Sequence, residues 1–339
     1  MHVNRRTAAT IAVLGAGSWG TALALALARD GGPTRLWGRD GAHMEELQRT
    51  RRNERYLPGF PFPDHLTIRS SLADTAQGAD LILVAVPCRG FRATLEQLAR
   101  IRLEGTVVGW ATKGLEPGTG KLLHEVAEEV LGPGITGAVI SGPTFAREVA
   151  AGLPAAVTVA SRNPAVTHTV AERLHHPSLR AYTSDDVVGV ELGGAVKNAL
   201  AIAAGIADGL GFGANARAAL ITRGLAEMIR LGEPLGGQRD TFIGLAGLGD
   251  LVLTCTDNQS RNRRVGLALA RGATVEQALQ EIGQVVEGVP VARELVRRAR
   301  AAQVEIPITE QVYRVLFEGL PPRDAVRALL VREQKAEHP

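Results

Sequence analysis

The chain has 339 residues, 45% of them hydrophobic, which is enough for two domains that each have a core. The formal net charge is only +3, and the single dense basic cluster, QSRNRR at 259–264, is too small to indicate nucleic-acid binding by itself. The two cysteines, Cys88 and Cys255, lack the spacing of a disulfide framework or a zinc site. We therefore expect a reducing, cytoplasmic environment and no metal.

No export signal or membrane span is predicted. The N-terminus, MHVNRRTAAT, has two arginines but no apolar stretch before the first predicted strand, so it does not resemble a signal peptide. The longest apolar runs, at 21–28 and 199–207, are shorter than the about 20 residues that a membrane span requires. We expect a soluble protein.

The first half of the chain alternates between strand-like and helix-like segments. Helical spacing of apolar residues occurs at 92–101 and 121–131, and a further helix is predicted to start at Asn163-Pro164. Continuous apolar strands separated by helices favour a parallel sheet covered on both faces. The strand-like runs are 10–15, 34–38, 80–87, 105–111, 137–143, 155–161 and 179–184.

The second half is predicted to be helical throughout. It begins with a long and almost wholly apolar segment at 186–211. Further helices are predicted at 215–232, 263–272, 275–283, 290–302, 307–319 and 322–333. The fold class is therefore α/β, with a Rossmann-type doubly wound sheet in residues 1–188 followed by an all-helical domain in residues 189–339.

A glycine motif follows the first predicted strand. In TIAVLGAGSWGTALA, the glycines Gly15, Gly17 and Gly20 form a G-x-G-x-x-G pattern between a strand and a helical run. Such glycines allow a tight turn, a close approach of the backbone to a pyrophosphate, and packing of helix on strand. Glycine triplets also occur in ordinary turns, but the strand before and the helix after favour dinucleotide binding.

The second strand bears on which dinucleotide is bound. It leads into Gly38-Arg39-Asp40, where Arg39 could pair with a 2′-phosphate and Asp40 could bind a ribose diol. Arg39 favours NADP(H) over NAD(H) slightly, although an ordinary exposed arginine would explain the residue equally well.

Lys197 lies inside the long apolar helix. Burial of an unpaired ammonium is costly, so this side chain needs an acidic partner, a means of losing its proton, or a ligand. A helical side chain leans towards the residues three and four positions earlier, here Gly194 and Gly193, so we expect open space beneath the amine. Asn198 stands next to it. A lysine that reaches the surface is the alternative.

A second polar group interrupts the apolar run LAGLGDLVLTCT at 245–256. Asp250 and Thr254 are four residues apart and share a face if the segment is helical. Asp250 also needs a partner, and Lys197 is the best candidate. An aspartate that caps a helix after Gly249 is the alternative.

Ser260 is predicted to cap a helix whose first turn holds Arg261, Arg263 and Arg264. Cations at a helix N-terminus oppose the helix dipole and cost roughly 0.3–1 kcal/mol each. A bound anion would reverse that sign, so SRN at 260–262 is interpreted as a phosphate site. A solvated basic turn is the competing interpretation.

Taken together, these segments resemble the soluble bacterial-type NAD(P)-dependent glycerol-3-phosphate dehydrogenases. The similarity covers about residues 10 to 330, in the same order, and is more specific than a shared fold. It is carried by GAGSWGTALA, WATKGLE, ISGPTFAREVA, VELGGAVKNALAIAAGIADGLG, GLAGLGDLVLTCTDNQSRNRR and EG at 287–288.

The resemblance implies reversible reduction of dihydroxyacetone phosphate to sn-glycerol 3-phosphate, a precursor of phospholipids, with NAD(P)H. It makes Lys197 the general acid/base, with Asp250 and Asn198 orienting it and Thr254 completing the polar cluster. It implies the substrate residues Lys113, Gly142, Thr144, Lys197, Asp250, Ser260, Arg261 and Asn262. It implies, together with the glycine motif, the cofactor residues Gly15, Gly17, Ser18, Trp19, Gly20, Arg39, Lys113, Ala146, Arg261, Val285 and Glu287.

Two other functions remain possible from the residues alone. One is a different dehydrogenase of the same architecture, of the 3-hydroxyacid or 6-phosphogluconate type, although SRNRR fits a small phosphate better than a carboxylate. The other is a non-catalytic NAD(P) sensor, which would not need Lys197 and Asp250 in apolar surroundings. Several helices are apolar on more than one face, which favours a homodimer.

Overall fold

The computed structural model describes residues 9–29, 31–103, 105–132, 137–331 and 333. Two compact units divide the chain. The first comprises residues up to Glu116 together with Lys121–Glu191, and the second comprises Pro117–Gly120 and the residues from Leu192 onward. The sequence did not predict that the short segment 117–120 belongs with the second unit.

An eight-stranded sheet forms the centre of the first unit. The strands of this unit, of which β3 and β4 lie outside the large sheet, are β1 (Ile11–Leu14), β2 (Thr34–Trp37), β3 (Arg52–Asn53), β4 (Leu57–Pro61), β5 (Leu66–Arg69), β6 (Leu81–Val84), β7 (Val107–Trp110), β8 (Gly137–Ser141), β9 (Ala155–Ala160) and β10 (Leu179–Ser184). The helices are α1 (Ser18–Arg29), α2 (Gly41–Thr50), α3 (Leu72–Ala76), α4 (Cys88–Leu98), α5 (Leu123–Leu131), α6 (Ala146–Ala151) and α7 (Pro164–Leu174).

The sheet has the order β10-β9-β8-β7-β6-β1-β2-β5. The central strands β1 and β6 are buried along their whole length, as expected for strands whose two faces are both covered. The carboxyl end of β1 therefore lies between those of β2 and β6, which run parallel to it. The predicted α/β class and all seven predicted strands are confirmed.

One pair of strands departs from the predicted parallel sheet. β8 and β9 are antiparallel. Between them the chain holds only α6, whose six residues span about 9 Å, less than the about 16 Å of a five-residue strand. This helix is too short to return the chain to the start of the sheet, so β9 runs back beside β8.

The sequence also missed three strands. β5 forms the edge of the sheet and pairs with β2, and β3 and β4 form a separate antiparallel hairpin. β3 has only two residues, and β4 contains Pro58 and Gly59, which indicate a turn rather than a strand.

The described part of the second unit is helical. Its helices are α8 (Val187–Gly209), which begins in the first unit, α9 (Gly213–Gly232), α10 (Arg239–Ile243), a π-helical turn (Leu245–Gly249), α11 (Asp250–Thr256), α12 (Arg261–Ala270), α13 (Val275–Ile282), α14 (Gly288–Ala301), α15 (Pro307–Phe317) and α16 (Pro322–Leu330). A short 3₁₀ turn, Glu233–Leu235, follows α9. The predicted run of helices is confirmed, with ends that shift by a few residues.

α8 is the central helix of the chain. Among the described residues it is the one helix that is long and apolar enough, by length and composition, to cross a membrane. However, 94% of its most apolar 18-residue stretch is buried inside the protein. A helix that is apolar all round and buried all round is typical of a protein core.

Glu227 is a buried carboxyl group on α9 that joins two helices. It accepts hydrogen bonds from the backbone N–H of Ile308 and, at 3.1 Å, from the N–H and the hydroxyl of Thr309. These N–H groups are in the first turn of α15, where a helix has no acceptors of its own. Burial raises the pKa of Glu227 to about 7, although the three hydrogen bonds oppose the shift.

We expect this carboxyl group to make the stability of the protein depend on pH. Because the folded-state pKa is raised, the folded protein keeps a proton that the unfolded chain releases between pH 4.5 and about 7. The free energy of unfolding should therefore fall through this window by about 3 kcal/mol and level off above it. Denaturant unfolding of the wild type and of Glu227→Gln across this pH range measures the contribution of Glu227, which is the difference between their free energies of unfolding.

Glu233→Gln, which changes an exposed carboxylate just after α9, is the matched control and should follow the wild type. A difference between wild type and Glu227→Gln that stays constant over the window would contradict the assignment.

Candidate active site

The glycine-rich turn between β1 and α1 fits a dinucleotide. The N–H of Gly15 donates to the carbonyl of Trp37 at 2.7 Å, which holds the turn against the end of β2. A Cβ at Gly20 would stand 1.9 Å from the carbonyl oxygen of Gly15, so only glycine lets α1 lie this close. A Cβ at Gly17 would meet nothing within 4 Å. The backbone at Gly17 therefore borders open space at the start of α1, where a pyrophosphate would bind.

Residues beside this turn are held by a segment that the sequence did not single out. Asn53 donates to the carbonyl of Ala16 at 3.0 Å and to the hydroxyl of Thr21 at 2.8 Å. Ser18 donates its hydroxyl to the carbonyl of Tyr56 at 2.7 Å. Only the asparagine itself, a residue common in turns, could have indicated this contact.

Trp19 is the second residue of α1 and is half-buried. Its Nε1 is buried and has no hydrogen-bond partner among the residues described. A buried indole N–H normally finds an acceptor, so a ligand beside the turn would complete the arrangement.

Lys113 lies in a second cluster of the first unit. Its amine donates to the carbonyl of Gly142 at 2.9 Å, and the hydroxyl of Thr144 donates to the same oxygen at 3.2 Å. Ala146 starts α6 just beyond. The structure thus brings together three residues that were assigned to the substrate. The thiol of Cys88 donates to the carbonyl of Lys113 at 3.4 Å and is buried.

The second unit contains a buried ion pair between Lys197 and Asp250. The Lys197 amine is 2.6 Å from the Asp250 carboxylate and donates to the Thr254 hydroxyl at 3.0 Å. Thr254 in turn donates to the backbone carbonyl of Asp250 at 2.6 Å. Asp250 is fully buried and Lys197 is 7% exposed, so the attraction acts with little screening by water. Asp250 is the partner that the sequence indicated.

The sequence predicted open space between Gly193 and the amine of Lys197, and this prediction is wrong. A Cβ at Gly193 would stand 2.5 Å from the carbonyl oxygen of Ala246 and 3.2 Å from the Cα of Gly247. The glycine lets the π-helical turn 245–249 pack directly against α8. This close approach, rather than a cavity, brings Asp250 at the start of α11 within reach of Lys197.

Asn198 has a different set of contacts from the expected one. Its carbonyl oxygen accepts from the Asn262 amide at 2.8 Å, and its own amide donates to the Gly194 carbonyl at 3.2 Å. Asn262 also accepts from the N–H of Gly288 at 2.9 Å. Asn198 thus joins α8 to the first turn of α12, and Asn262 in turn joins α12 to the start of α14. The described hydrogen bonds of Asn198 do not include Lys197.

Ser260 is the N-cap of α12, as predicted, and accepts from the N–H of Arg263 at 3.2 Å. Burial lowers the pKa of the Arg261 guanidinium, and the Glu287 carboxylate opposes this shift. Glu287 is the N-cap of α14, and Val285 lies in the turn before it. The N-terminus of α12 therefore combines the positive end of a helix dipole, a guanidinium and a nearby carboxylate.

Arg263 does not contribute to an anion site in the way that its place beside SRN suggested. Its guanidinium is buried and donates to the carbonyl of Cys255 at 3.1 Å, to the Asn258 side chain, and to Asp208 at 2.5 Å. Asp208 also accepts from Arg217 at 2.9 Å. Arg263 thus fixes the turn between α11 and α12 to the end of α8. Neither Asp208 nor this role was predicted.

Cys255 lies near the end of α11, just before this turn, and is fully buried. Burial raises the pKa of its thiol to about 12, against the opposing effects of the Lys197 and Arg263 charges. No group of three or more His, Cys, Asp or Glu side chains that could hold a metal occurs in the described ranges.

The predicted site residues fall into two groups, one in each unit. The first unit holds the glycine-rich turn with Gly15, Gly17, Ser18, Trp19 and Gly20, the exposed Arg39, and the cluster of Lys113, Gly142, Thr144 and Ala146. The second unit holds Lys197, Asn198, Asp250, Thr254, Ser260, Arg261, Asn262, Val285 and Glu287.

A dinucleotide-binding sheet joined to a helical unit with a buried lysine–aspartate pair defines an NAD(P)-dependent dehydrogenase. Residues 10–167 match the family model for the N-terminus of NAD-dependent glycerol-3-phosphate dehydrogenase, and residues 186–327 match the model for its C-terminus. The chain belongs to the NAD-dependent glycerol-3-phosphate dehydrogenase family.

Relatives support this assignment over almost the whole chain. The glycerol-3-phosphate dehydrogenase [NAD(P)+] of Stenotrophomonas maltophilia is 56% identical over 333 residues, 98% of each chain. The enzyme of the same name from Nitrosococcus oceani is 59% identical, over 96% of this chain and 95% of the relative. The crystal structure of glycerol-3-phosphate dehydrogenase from Coxiella burnetii has a TM-score of 0.93 at 51% identity, covering 96% of this chain and 99% of that one.

The two arginines that contact Asp208 should differ sharply in their effect on stability. Arg263→Met leaves the buried carbonyl of Cys255 without its donor and removes a buried cation from Asp208, so we expect a loss of about 3 kcal/mol in the free energy of unfolding. Arg217→Ala removes a partly exposed partner of the same carboxylate and should cost less than about 1 kcal/mol. Denaturant unfolding of both variants measures the contrast, and equal losses would show that Arg263 does not hold the turn.

Proposed function

We propose that this protein reversibly reduces dihydroxyacetone phosphate to sn-glycerol 3-phosphate with NAD(P)H and so supplies glycerol 3-phosphate for phospholipid synthesis. The observation that carries the proposal is the buried Lys197–Asp250 pair in a chain of the glycerol-3-phosphate dehydrogenase family. The proposal rests equally on relatives more than 50% identical that are named for this activity.

Lys197 is the general acid/base of the proposed reaction. When bound, the reduced nicotinamide supplies the hydride that converts the ketone carbon of the substrate into an alcohol carbon. The Lys197 ammonium gives a proton to the ketone oxygen in the same step, and in the reverse direction the neutral amine takes the hydroxyl proton. Asp250 and Thr254 contact the amine and fix its position, at 2.6 and 3.0 Å.

The substrate phosphate is assigned to the N-terminus of α12. Ser260 and Asn262 are held in place by hydrogen bonds, Ser260 as the N-cap and Asn262 between Asn198 and Gly288. Arg261 supplies a guanidinium at the positive end of the helix dipole, a combination that favours a doubly charged anion. The carboxylate of the competing hydroxyacid substrates would use fewer of these donors.

The cofactor is assigned to the first unit. The turn at Gly15, Gly17 and Gly20 would hold the pyrophosphate, with Ser18 and Trp19 at the start of α1 beside it. Lys113, Gly142 and Thr144 would serve substrate and nicotinamide, and in the second unit Arg261, Val285 and Glu287 would complete the cofactor contacts.

Replacement of Lys197 should remove turnover and leave cofactor binding intact. For Lys197→Met we expect kcat to fall about 10²–10⁴-fold with dihydroxyacetone phosphate and either NADPH or NADH, while the Kd for NADPH stays close to the wild-type value. Steady-state oxidation of the reduced cofactor measures kcat, and fluorescence titration measures Kd. Lys121→Met, at a partly exposed lysine of the first unit, is the control and should retain full activity.

Lys197→Met alone leaves the Asp250 carboxylate buried without its cation, which could unfold the second unit. The double variant Lys197→Met/Asp250→Asn removes both charges and keeps the shape, so it separates folding from catalysis. Turnover of either variant within about tenfold of wild type would remove Lys197 as the acid/base, whereas a wild type that binds NADPH without turnover would favour the non-catalytic sensor.

We further infer a cytoplasmic homodimer. In support, the second unit exposes the large apolar side chains of Phe212, Ile243 and Val252, each to more than 40%. Burial of such side chains between copies would stabilise a dimer. Sedimentation equilibrium should give twice the chain mass of 35.8 kDa, and a monomer at working concentration would contradict the inference.

A further inference from the structure

Arg263 connects three segments of the second unit through one side chain. Its guanidinium donates to the carbonyl of Cys255 near the end of α11, to the Asn258 side chain in the turn that follows, and to the Asp208 carboxylate of α8. A guanidinium is planar and holds its donors in fixed directions, so a shift of any one segment would break one of these bonds. The turn between α11 and α12 is therefore held in one arrangement against α8.

The first turn of α12 is attached to α8 at two further points. Gly205 lets the two helices touch, because a Cβ there would stand 2.0 Å from the carbonyl oxygen of Arg263. Nearer to the start of α8, Asn198 accepts a hydrogen bond from the Asn262 amide at 2.8 Å. The residues assigned to the substrate phosphate, 260–262, immediately precede Arg263 in the chain. Their position is therefore set by the contacts of their neighbours with α8.

Stability alone does not account for the pair formed by Asp208 and Arg263. The two side chains are only 10% and 8% exposed, so both charges are withdrawn from water. The cost of this desolvation offsets much of their attraction, and apolar side chains of similar volume often stabilise a protein as well or better. A buried pair does, however, permit few alternative arrangements, and this favours a role in fixing the geometry of the turn.

We propose that Asp208 is a positioning residue for substrate binding, which acts through Arg263 to hold the N-terminus of α12 in the conformation that binds the substrate phosphate. Arg263 directs its donors at the protein interior, so the pair acts on the substrate through the turn. An anion at a helix N-terminus is bound well only if the dipole and the Arg261 guanidinium both point at it. This inference rests on the proposed function, because the phosphate site is itself a proposal.

The test compares dihydroxyacetone phosphate with dihydroxyacetone, which lacks the phosphate, as substrates at saturating NADPH. For Asp208→Asn we expect kcat/KM to fall about 10–100-fold with dihydroxyacetone phosphate, mainly through KM, the range expected for loss of a charge-assisted hydrogen bond. With dihydroxyacetone it should stay within about twofold of the wild type, because no phosphate is bound. Arg217→Ala is the matched control. It removes the partly exposed partner of Asp208 and should change neither substrate by more than about twofold.

A second variant separates positioning from stability. Asp208→Asn leaves the Arg263 cation buried without its partner, whereas Asp208→Leu/Arg263→Met replaces the pair with apolar side chains. The double variant should regain most of the free energy of unfolding and still have the raised KM for dihydroxyacetone phosphate. A return of KM to the wild-type value would show that the pair is only structural and would overturn the proposal. An equal loss with both substrates would also overturn it, because that result indicates a general distortion of the site.

A binding measurement distinguishes failure of this inference from failure of the proposed activity. Calorimetric titration with sn-glycerol 3-phosphate needs no turnover, and we expect Asp208→Asn to raise its Kd by the same factor as the KM. A protein that shows this dependence on Asp208 but reduces no ketone would contradict the activity and support the inference. Equal Kd values for wild type and Asp208→Asn, or no binding to either, would overturn the inference whatever the activity.

Discussion

The buried ion pair between Lys197 and Asp250 constrains how the helices of the second unit pack against one another. A charge that loses its partner inside a protein costs about 3–5 kcal/mol, so the two helices that carry the pair must stay in register. Gly193 permits this because it has no Cβ to hold the π-helical turn away from α8. The apolar surroundings that make an isolated charge costly also strengthen the attraction between the amine and the carboxylate.

α8 is attached to the turn before α12 at a second point, three helical turns beyond Lys197. Asp208 holds Arg263, and between the two anchor points Gly205 and Gly266 let α8 and α12 touch backbone to backbone. A Cβ at Gly266 would stand 2.1 Å from the carbonyl oxygen of Ile202. One rigid helix therefore sets the spacing between the proposed acid/base and the proposed phosphate-binding turn.

The sequence predicted what depends on local pattern. Strands, helices, the glycine-rich turn, the Ser260 cap and the Lys197–Asp250 partnership follow from periodicity, capping rules and the cost of isolated charge. It did not predict the direction of β9, the hairpin that contains Asn53, or the Asp208–Arg263 pair. These depend on contacts between residues distant in the chain, and Arg263 in particular resembled its neighbours in a basic cluster.

The burial of both cysteines has a consequence for the conditions under which the enzyme can work. Oxidation and alkylation of cysteine proceed through the thiolate and need access from solvent. Cys255 lies next to the proposed acid/base, yet its pKa of about 12 keeps it as a thiol, and Cys88 is also enclosed. Neither thiol is therefore accessible to peroxides or electrophiles from solvent. The proposed reaction uses no thiol, so it does not depend on the redox state of either cysteine.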